Sequence, residues 1–290
     1  MLDGVRIRHL NCATLCPASA RLINGTGGLL ATGRMVCHCL LIESNDGLIL
    51  VDTGLGLQDV ADPAGRLGRP FLSAVRPRLD AEETAVRQIE RLGFSATDVR
   101  HIVMTHLDLD HAGGLADFPE ATVHVFAGEH EAAMARATLV EQRRYVPGQW
   151  AHHPKWRLHS IGGDHWMGFE SVRAVEANIG VDILLVPLIG HTRGHCGVAV
   201  RTETGWLLHC GDAYFFHDEI KYPPHCSPGL RVFQRLVAMD NDERVRNQLR
   251  LRALNRVAGH RIQLFCAHDE VELAGMQAVA TTAALASAVG

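Results

Sequence analysis

The sequence predicts a mixed α/β fold, and three observations support this prediction. Short apolar segments of strand length alternate with longer segments of helical periodicity. The 290 residues are enough for one large α/β domain or for two small ones. Candidate metal ligands follow several of the predicted strands, and functional residues are concentrated on such connecting segments.

The first half of the chain contains two clear local signals. Asn45-Asp46-Gly47 lies between two apolar segments, as in a tight β-hairpin. Glu82 and Glu83 stand in the first turn of a helical pattern that ends before Gly93. We expect irregular structure over about the first forty residues and in a flexible connector, Asp62 to Arg78. The predicted strands are Val36–Glu43, Gly47–Val51, His101–Met104 and Thr122–Phe126, and the predicted helices are Asp80–Leu92 and Gly128–Arg136.

The second half contains further strands and two long helical segments. The predicted strands are Ile183–Pro187, Gly197–Arg201, Trp206–Cys210 and Arg261–Cys266, and the predicted helices are Val232–Ala258, broken near Asp240-Asn241-Asp242, and Val271–Val289. From Ala137 to Gly168 the sequence is rich in Trp and His and has no regular pattern. Such a stretch is either a functional lid or a packed excursion, and the sequence leaves both open. We therefore predict a single domain over residues 1–290 with an insertion at about 137–170.

Four strong metal ligands lie within six residues directly after one predicted strand. They are His106, Asp108, Asp110 and His111, followed by Ala112-Gly113-Gly114. If this segment is extended, the first three side chains point to one side, because side chains alternate along a strand. His111 then begins a turn and approaches the same space from another direction. Three or four ligands that converge in this way are typical of an open, catalytic metal site.

Three later segments each place a candidate ligand after a strand and beside small residues. His191 and His195 belong to Gly190-His191-Thr192-Arg193-Gly194-His195, Asp212 belongs to Gly211-Asp212-Ala213, and His268 follows Ala267. One isolated His or Asp in such a place is usually a solvated surface residue. Three in succession, together with the first cluster, indicate one composite metal site.

The combined pattern resembles the metallo-β-lactamase superfamily. The order is His-x-Asp-x-Asp-His, then Gly-His-Thr-x-Gly-His, then Gly-Asp-Ala, then Ala-His, and the turn Val51-Asp52-Thr53-Gly54 upstream fits the same family. The resemblance covers roughly Leu40 to His268. It implies a four-layer αββα sandwich with a one- or two-metal site on its open edge, and it is closest in kind to the lactonase-like branch.

The resemblance also implies a ligand set. Carried over by position, His106 and His191 resemble ligands of a first metal, and Asp212 resembles a carboxylate that bridges both metals. Ligands of the second metal correspond to Asp110, His111 and His268. We interpret His195 as a residue that orients a ligand or caps its loop. The implied cofactors are two divalent ions, with zinc preferred and manganese or iron as alternatives.

One position departs from the family pattern, which is usually His-x-His-x-Asp-His. Asp108 stands where the second histidine is expected, and a related flavodiiron branch has an acidic residue there. With Asp108, three carboxylates instead of two would offset the four positive charges of two divalent ions. The centre becomes a weaker Lewis acid and harder, which shifts its preference from zinc toward manganese or iron. The alternative, in which Asp108 binds no metal and one site is weak, stays open.

The implied chemistry is hydrolysis by a metal-bound hydroxide, without a serine or cysteine nucleophile. Asp110 could transfer a proton to the leaving group. Tyr214, two residues after Asp212, could donate to the developing oxyanion, although core packing explains it equally well. We expect a metallo-hydrolase acting on a small ester-like substrate, with a lactone the first choice. The alternatives are a di-iron oxidoreductase of flavodiiron type and a phosphodiesterase.

Composition limits the partners. The net charge is −4 with no block of Lys and Arg, so neither nucleic acid nor an anionic membrane is expected as a partner. The longest apolar stretches are too short to span a bilayer. Eight cysteines without a C-x-x-C motif, and an N-terminus without a signal pattern, predict a reduced, cytoplasmic protein. The expected partner is a small-molecule substrate, and a homodimer is left open.

Overall fold

Two six-stranded sheets form the centre of the computed structural model, which describes residues 5–175 and 179–289. The strands are β1 Arg6–Leu15, β2 Met35–Ser44, β3 Gly47–Val51, β4 Val99–Val103, β5 Thr122–Phe126, β6 Lys155–His159, β7 Asp164–Trp166, β8 Phe169–Ala174, β9 Ile183–Pro187, β10 Cys196–Arg201, β11 Trp206–His209 and β12 Ile262–Phe265. The helices are α1 Ala20–Ile23, α2 Leu57–Ala61, α3 Pro63–Arg66, α4 Gly68–Val75, α5 Ala85–Arg91, α6 Leu109–Ala112, α7 Ala127–Ala135, α8 Leu139–Arg144, α9 Pro228–Val237, α10 Asn241–Ala258 and α11 Glu270–Val289. Short 3-10 turns occupy Ala81–Glu83, Ala96–Asp98, Gly113–Asp117 and Pro147–Trp150.

The two sheets are mixed. The first sheet has the order β1-β2-β3-β4-β5-β6, antiparallel from β1 to β3 and parallel from β3 to β6. The second sheet has the order β12-β11-β10-β9-β8-β7, in which only β11 and β12 pair in parallel. Parallel pairs bring several strands to the same edge at their carboxyl ends, and candidate ligands follow the parallel strands β4, β11 and β12. His191 instead follows β9, which is antiparallel to both of its neighbours.

Alternating side chains of the buried strands separate the layers of the fold. On β2, Leu40 and Ile42 pack between the two sheets, whereas Leu41 packs on the other face with Ile89 of α5. Apolar residues of α10 such as Leu251 cover the second sheet. Strands buried on both faces are apolar throughout, because each face meets another layer. The protein is therefore an αββα sandwich, which confirms the predicted fold class.

Most predicted elements are present within a few residues of their expected ends, and the hairpin at Asn45-Asp46-Gly47 joins β2 to β3. The helix predicted at Asp80–Leu92 is a 3-10 turn followed by α5, and the predicted break near Asp240 separates α9 from α10. Within the described residues, no helix has both the length and the apolar character needed to cross a membrane.

Three expectations of irregular structure were wrong. The first forty residues contain β1, which pairs with β2 along most of its length. The first half of β1 is partly exposed and contains polar residues, so its sequence does not show the apolar pattern of a buried strand. The connector Asp62–Arg78 contains α3 and α4, and Pro70 is tolerated because it lies in the first turn of α4. The stretch Ala137–Gly168 contains α8, β6 and β7. Because β6 is an edge strand with mostly exposed side chains, its sequence shows no apolar pattern.

Candidate metal centre

The segment after β4 brings its ligands into the centre through a change of backbone conformation. Asp108 is the extended N-cap residue of α6, and its side chain makes no capping hydrogen bond. Asp110 and His111 lie in the first turn of that helix. The segment is thus extended only as far as Asp108, and Asp110 reaches the centre from a helix rather than from a continued strand.

The Asp108 group consists of His106, Asp108 and His191. Asp108 Oδ2 lies 3.0 Å from His191 Nε2 and 3.4 Å from His106 Nε2. One possible ligand atom from each of the three residues lies within 4.8 Å of the ligand atoms of the other two. Both histidines are buried, whereas the Asp108 side chain is 15% exposed. Asp108 therefore lies close enough to the two histidines for all three to bind one cation.

The Asp110 group consists of Asp110, His111 and His268. His268 Nε2 lies 3.7 Å from Asp110 Oδ2 and 3.4 Å from His111 Nε2. No sequence motif linked Cys37 of β2 to this group, but its thiol lies within 4.8 Å of ligand atoms of Asp110 and His268. Burial, with Asp110 nearby, raises the pKa of this thiol well above its ordinary value.

Asp212 lies between the two groups, and each of its oxygens faces one of them. Oδ2 is 3.4 Å from His191 Nε2 and 3.9 Å from His106 Nε2. Oδ1 is 3.3 Å from His111 Nε2 and 3.2 Å from His268 Nε2. A carboxylate in this position can bind one cation through each oxygen, as expected of a bridging ligand.

Several polar atoms of the centre fit a bound cation. His106 Nε2, Asp108 Oδ1 and Asp212 Oδ1 are buried and make no hydrogen bond with any described residue. Buried polar atoms in folded proteins are nearly always paired, so three unpaired atoms in one small volume need an explanation. Imidazole nitrogens and carboxylate oxygens are good ligands for divalent transition metals. The residues present therefore fit metal binding.

Burial and nearby charges act differently on the protonation of the individual ligands. Burial lowers the pKa of His191 to about 4, so the ring is neutral and can bind a metal at neutral pH. Burial alone would raise the pKa of Asp212, but His268, His111 and His191 hold it well below its ordinary value. Burial opposes protonation of His111, yet Asp212 and Asp52 raise its pKa well above 6.5, so a cation must displace a proton there.

Asp52 orients His111 by accepting a hydrogen bond from Nδ1, the ring nitrogen that does not face Asp212. His111 Nδ1 donates to Asp52 Oδ2 at 2.8 Å, which leaves Nε2 free to face Asp212. The same carboxylate accepts hydrogen bonds from the backbone N–H and the hydroxyl of Thr105, at 2.8 and 2.7 Å. A carboxylate behind a ligating histidine fixes the ring and raises its basicity. The turn Val51-Asp52-Thr53-Gly54 thus carries a positioning residue.

His195 acts on Asp212 through the backbone. His195 Nε2 accepts a hydrogen bond from the backbone N–H of Asp212 at 2.8 Å, while its Nδ1 donates to the carbonyl of Leu188 at 2.8 Å. The ring is therefore neutral. Gly211 adopts a φ of +52°, and a Cβ atom there would lie 2.5 Å from His195 Nε2. Only glycine lets the two loops approach this closely, and His195 orients a ligand without binding metal itself.

Comparison with known proteins identifies the family. The sequence profile of the Metallo-beta-lactamase superfamily matches residues 32–260. The protein belongs to this superfamily. His268 lies beyond the matched residues, and the geometry places it beside Asp110 and Asp212.

Two relatives support the assignment as a metallo-hydrolase. A probable metallo-hydrolase of Mycobacterium tuberculosis is 43% identical over 265 residues, which are 91% of this chain and 80% of the relative. An N-acyl homoserine lactonase of Bacillus thuringiensis is 30% identical over 190 residues, which are 63% of this chain and 68% of that enzyme. The protein is a metal-dependent hydrolase of this superfamily.

A solved structure has the same fold. An N-acyl homoserine lactone hydrolase, with its product N-hexanoyl-L-homoserine at the catalytic metal centre, aligns with a TM-score of 0.68. The alignment covers 92% of this chain and 94% of that one at 21% sequence identity. At this identity the likeness shows the fold and no more.

Glu129 of α7 joins the two loops that carry the Asp108 group in this metallo-hydrolase. The carboxylate accepts hydrogen bonds from the backbone N–H groups of Leu107 and Gly194, at 2.9 and 3.1 Å. It also accepts from the hydroxyls of Thr192, at 2.6 Å, and Tyr145, at 3.0 Å. Glu129 is fully buried. No sequence pattern singled out Glu129, because a glutamate near the start of a helix is common on protein surfaces.

The interpretation of Tyr214 as an oxyanion donor is corrected by the structure. The ring is buried in the core between the second sheet and α10, and its hydroxyl donates to Glu272 of α11 at 3.0 Å. It does not line the cavity above the ligands. Packing of a large ring against the second sheet, together with a satisfied hydroxyl, accounts for its position.

A cavity of about 580 Å³ lies above the ligands, which is within the usual range for a small-molecule site. Asp108, Asp110, His191, Asp212 and His268 line one end of it. Its walls come from α4, α8 and α9 and from nearby loops, and they are mainly apolar: Leu15, Phe71, Val75, Val140, Val146, Phe215, Phe233 and Leu236. The stretch predicted as a lid or a packed excursion thus contributes a wall of this cavity through α8.

Proposed function

We propose that this protein is a hydrolase with two zinc ions that opens a lactone, or cleaves a small ester, carrying an apolar substituent. The observation that carries the proposal is the position of Asp212, which divides its oxygens between two ligand groups at the end of an apolar cavity. The named activity of the Bacillus relative supports a lactone as the first choice.

When bound, two divalent ions would polarise a carbonyl oxygen and lower the pKa of a water molecule, which supplies the nucleophile for hydrolysis. The Asp108 group and the Asp110 group would hold one ion each, and Asp212 would contact both. Asp110 is 14% exposed and lines the cavity, so its carboxylate can hold a proton near the leaving oxygen. Asp52 and His195 keep His111 and Asp212 in place.

The apolar walls favour a substrate with a hydrocarbon portion. Removing apolar surface from water is worth about 25 cal/mol per Å², and an acyl chain between Phe71 and Phe233 would gain this energy. A purely polar phosphodiester would gain none of it. We therefore rank the lactone above the phosphodiester, and the phosphodiesterase and di-iron oxidoreductase alternatives stay predictions.

The test is a hydrolysis panel with metal-loaded protein. γ-Lactones with short and long acyl substituents, matched linear esters and a phosphodiester are compared by release of acid at constant pH. We expect turnover of lactones, with kcat/KM rising with chain length, and no turnover after removal of metal. Phosphodiester cleavage without lactone cleavage would support the phosphodiesterase instead. Two bound irons, a visible absorption band and no hydrolysis would favour the oxidoreductase.

A further inference from the structure

Arg144, the last residue of α8, lies beside the Asp108 group with most of its side chain buried. Only 9% of its side chain is exposed. Its Nη1 donates to the carbonyl of His191 at 2.9 Å, and its Nη2 donates to the carbonyl of Val237 at the end of α9. Nη1 also lies 3.5 Å from Asp108 Oδ2. The guanidinium thus contacts one candidate ligand through its carboxylate and another through its backbone.

A buried arginine needs a nearby negative charge, because removing a cation from water costs several kcal/mol unless it is paired. Among the described residues, Asp108 is the only carboxylate in ion-pair contact with Arg144. The two carbonyls satisfy N–H donors but do not offset a full charge. Asp108 in turn is the residue at which the sequence departs from the superfamily pattern of a second histidine.

The charges of the proposed two-ion centre show what the pair achieves. Two divalent ions carry +4, and Asp108, Asp110 and Asp212 carry −3, which leaves +1. Adding the guanidinium of Arg144 gives +2. A histidine at position 108, without a nearby arginine, would also give +2, because only Asp110 and Asp212 would then offset the charge of the two ions.

We propose that Asp108 and Arg144 form a compensating pair, in which the arginine restores the positive charge that the aspartate removes from the centre. Arg144 is a positioning residue in this proposal, because it acts through Asp108. The proposal rests on the proposed two-ion function. It predicts that the two residues depend on each other: a histidine at position 108 is tolerated only when Arg144 is also neutralised.

A purely structural role for Arg144 predicts something different. If Arg144 only ties the carbonyls of His191 and Val237 together, its replacement would have the same effect whatever residue occupies position 108. The two explanations are therefore separated by a double-mutant cycle, which measures the coupling between two positions.

The experiment compares the wild type with Asp108→His, Arg144→Gln and the double variant. For each protein, the zinc dissociation constant is measured by chelator competition, and the thermal midpoint is measured without metal. Asp108→His alone leaves Arg144 buried without a counter-charge, so we expect a lower midpoint and zinc binding at least about ten-fold weaker than in the double variant. Arg144→Gln alone removes a cation and should not weaken zinc binding, while the pH midpoint of kcat/KM rises.

Arg143 provides the matched control, since it lines the same cavity but is exposed. Asp108→His combined with Arg143→Gln should not recover zinc binding or the metal-free midpoint. Additive effects of the two substitutions on both quantities would overturn the proposal. If no variant binds zinc, the proposed function fails, but the metal-free midpoints still decide whether the two residues are coupled.

Discussion

The two ligand groups on either side of Asp212 are balanced in opposite ways. The Asp108 group has a carboxylate among its ligands and a cation behind it, Arg144. The Asp110 group has two histidines among its ligands and an anion behind one of them, Asp52. Arg144 is positive and lies beside the negative Asp108. Asp52 is negative and lies beside His111, which becomes positive when it is protonated.

This difference predicts that the two groups would not be equivalent as cation sites. With neutral histidines, Asp108 and Arg144 sum to zero, whereas Asp110 and Asp52 sum to −2. Because the field at a cation is set by all nearby charges, the Asp110 group should hold its ion more tightly.

Replacing Asp212, the residue common to both groups, should have the largest effect. In Asp212→Asn the bridging charge is lost while the backbone hydrogen bond to His195 remains. We expect loss of both ions, to below about 0.2 per chain, and at least a 10³-fold fall in kcat/KM, since such ions are worth several kcal/mol in the transition state. Elemental analysis and steady-state kinetics measure these quantities.

The control for this substitution is Asp242→Asn, which changes an exposed carboxylate on α10. It should keep the metal content and the activity of the wild type. Retention of one tightly bound ion in Asp212→Asn would show that the two groups bind independently and that Asp212 is not a bridge.

Glu129→Gln should damage the Asp108 group alone. Glutamine cannot accept all four hydrogen bonds that Glu129 accepts, so a donor is left without a partner. We expect a loss of about 3 kcal/mol in the free energy of unfolding, measured with urea, and retention of about one ion per chain. The exposed Glu131 on the same helix is the control. Equal loss of both ions would contradict the assignment of Glu129 to one group.

The sequence could predict that the candidate ligands lie close together, because each one is next to a strand end and beside small residues. His106, Asp110, His191, Asp212 and His268 come together where their local patterns place them. Glu129 and Arg144 have no such local pattern. The roles of Glu129 and Arg144 depend on contacts with segments that are distant in sequence. The sequence of a helix does not show that such a segment will cover one of its polar residues.

The oxyanion role suggested for Tyr214 was wrong for a related reason. The offset of Tyr214 from Asp212 suggested a catalytic position, but a strand end does not fix the direction of a side chain two residues later. The sequence also predicts that Asp108→His keeps or improves zinc occupancy and lowers the pH at which activity rises, and this stays a prediction. The contact between Arg144 and Asp108 favours the opposite result for zinc binding, because a neutral residue at position 108 would leave the guanidinium without its counter-charge.

Stepwise removal of metal should reveal the difference between the two groups directly. When the two-ion protein is titrated with a chelator, we expect the first ion to leave at a chelator activity about ten-fold lower than the second, because of the greater negative charge around the Asp110 group. In Arg144→Gln the Asp108 group loses its nearby cation, so the two steps should move closer together. A wider separation in that variant would contradict the charge comparison.

The smallest expected effect is a change in how stability depends on pH, and it involves Glu272, which lies near the Asp110 group. Glu272 accepts from the backbone N–H of Cys266, two residues before His268, and burial raises the pKa of Glu272 to about 7. Its folded pKa exceeds its unfolded value of 4.5, so the folded state binds more protons and stability falls as pH rises from about 4.5 to about 7.

Glu272→Gln removes this titration. The thermal midpoint of the variant minus that of the wild type should increase by about 2–5 °C from pH 5 to pH 8. Glu203→Gln, at an exposed turn, should show no such trend. A difference that stays constant with pH would show that Glu272 does not titrate in this range.

A zinc titration of the metal-free wild-type protein will show whether Asp212 joins two cation sites. Increasing zinc is added in the presence of a competing chromophoric chelator, and the bound ions per chain are counted at saturation. We expect two equivalents that bind in two distinguishable steps. Saturation at one equivalent would show that Asp212 does not join two sites.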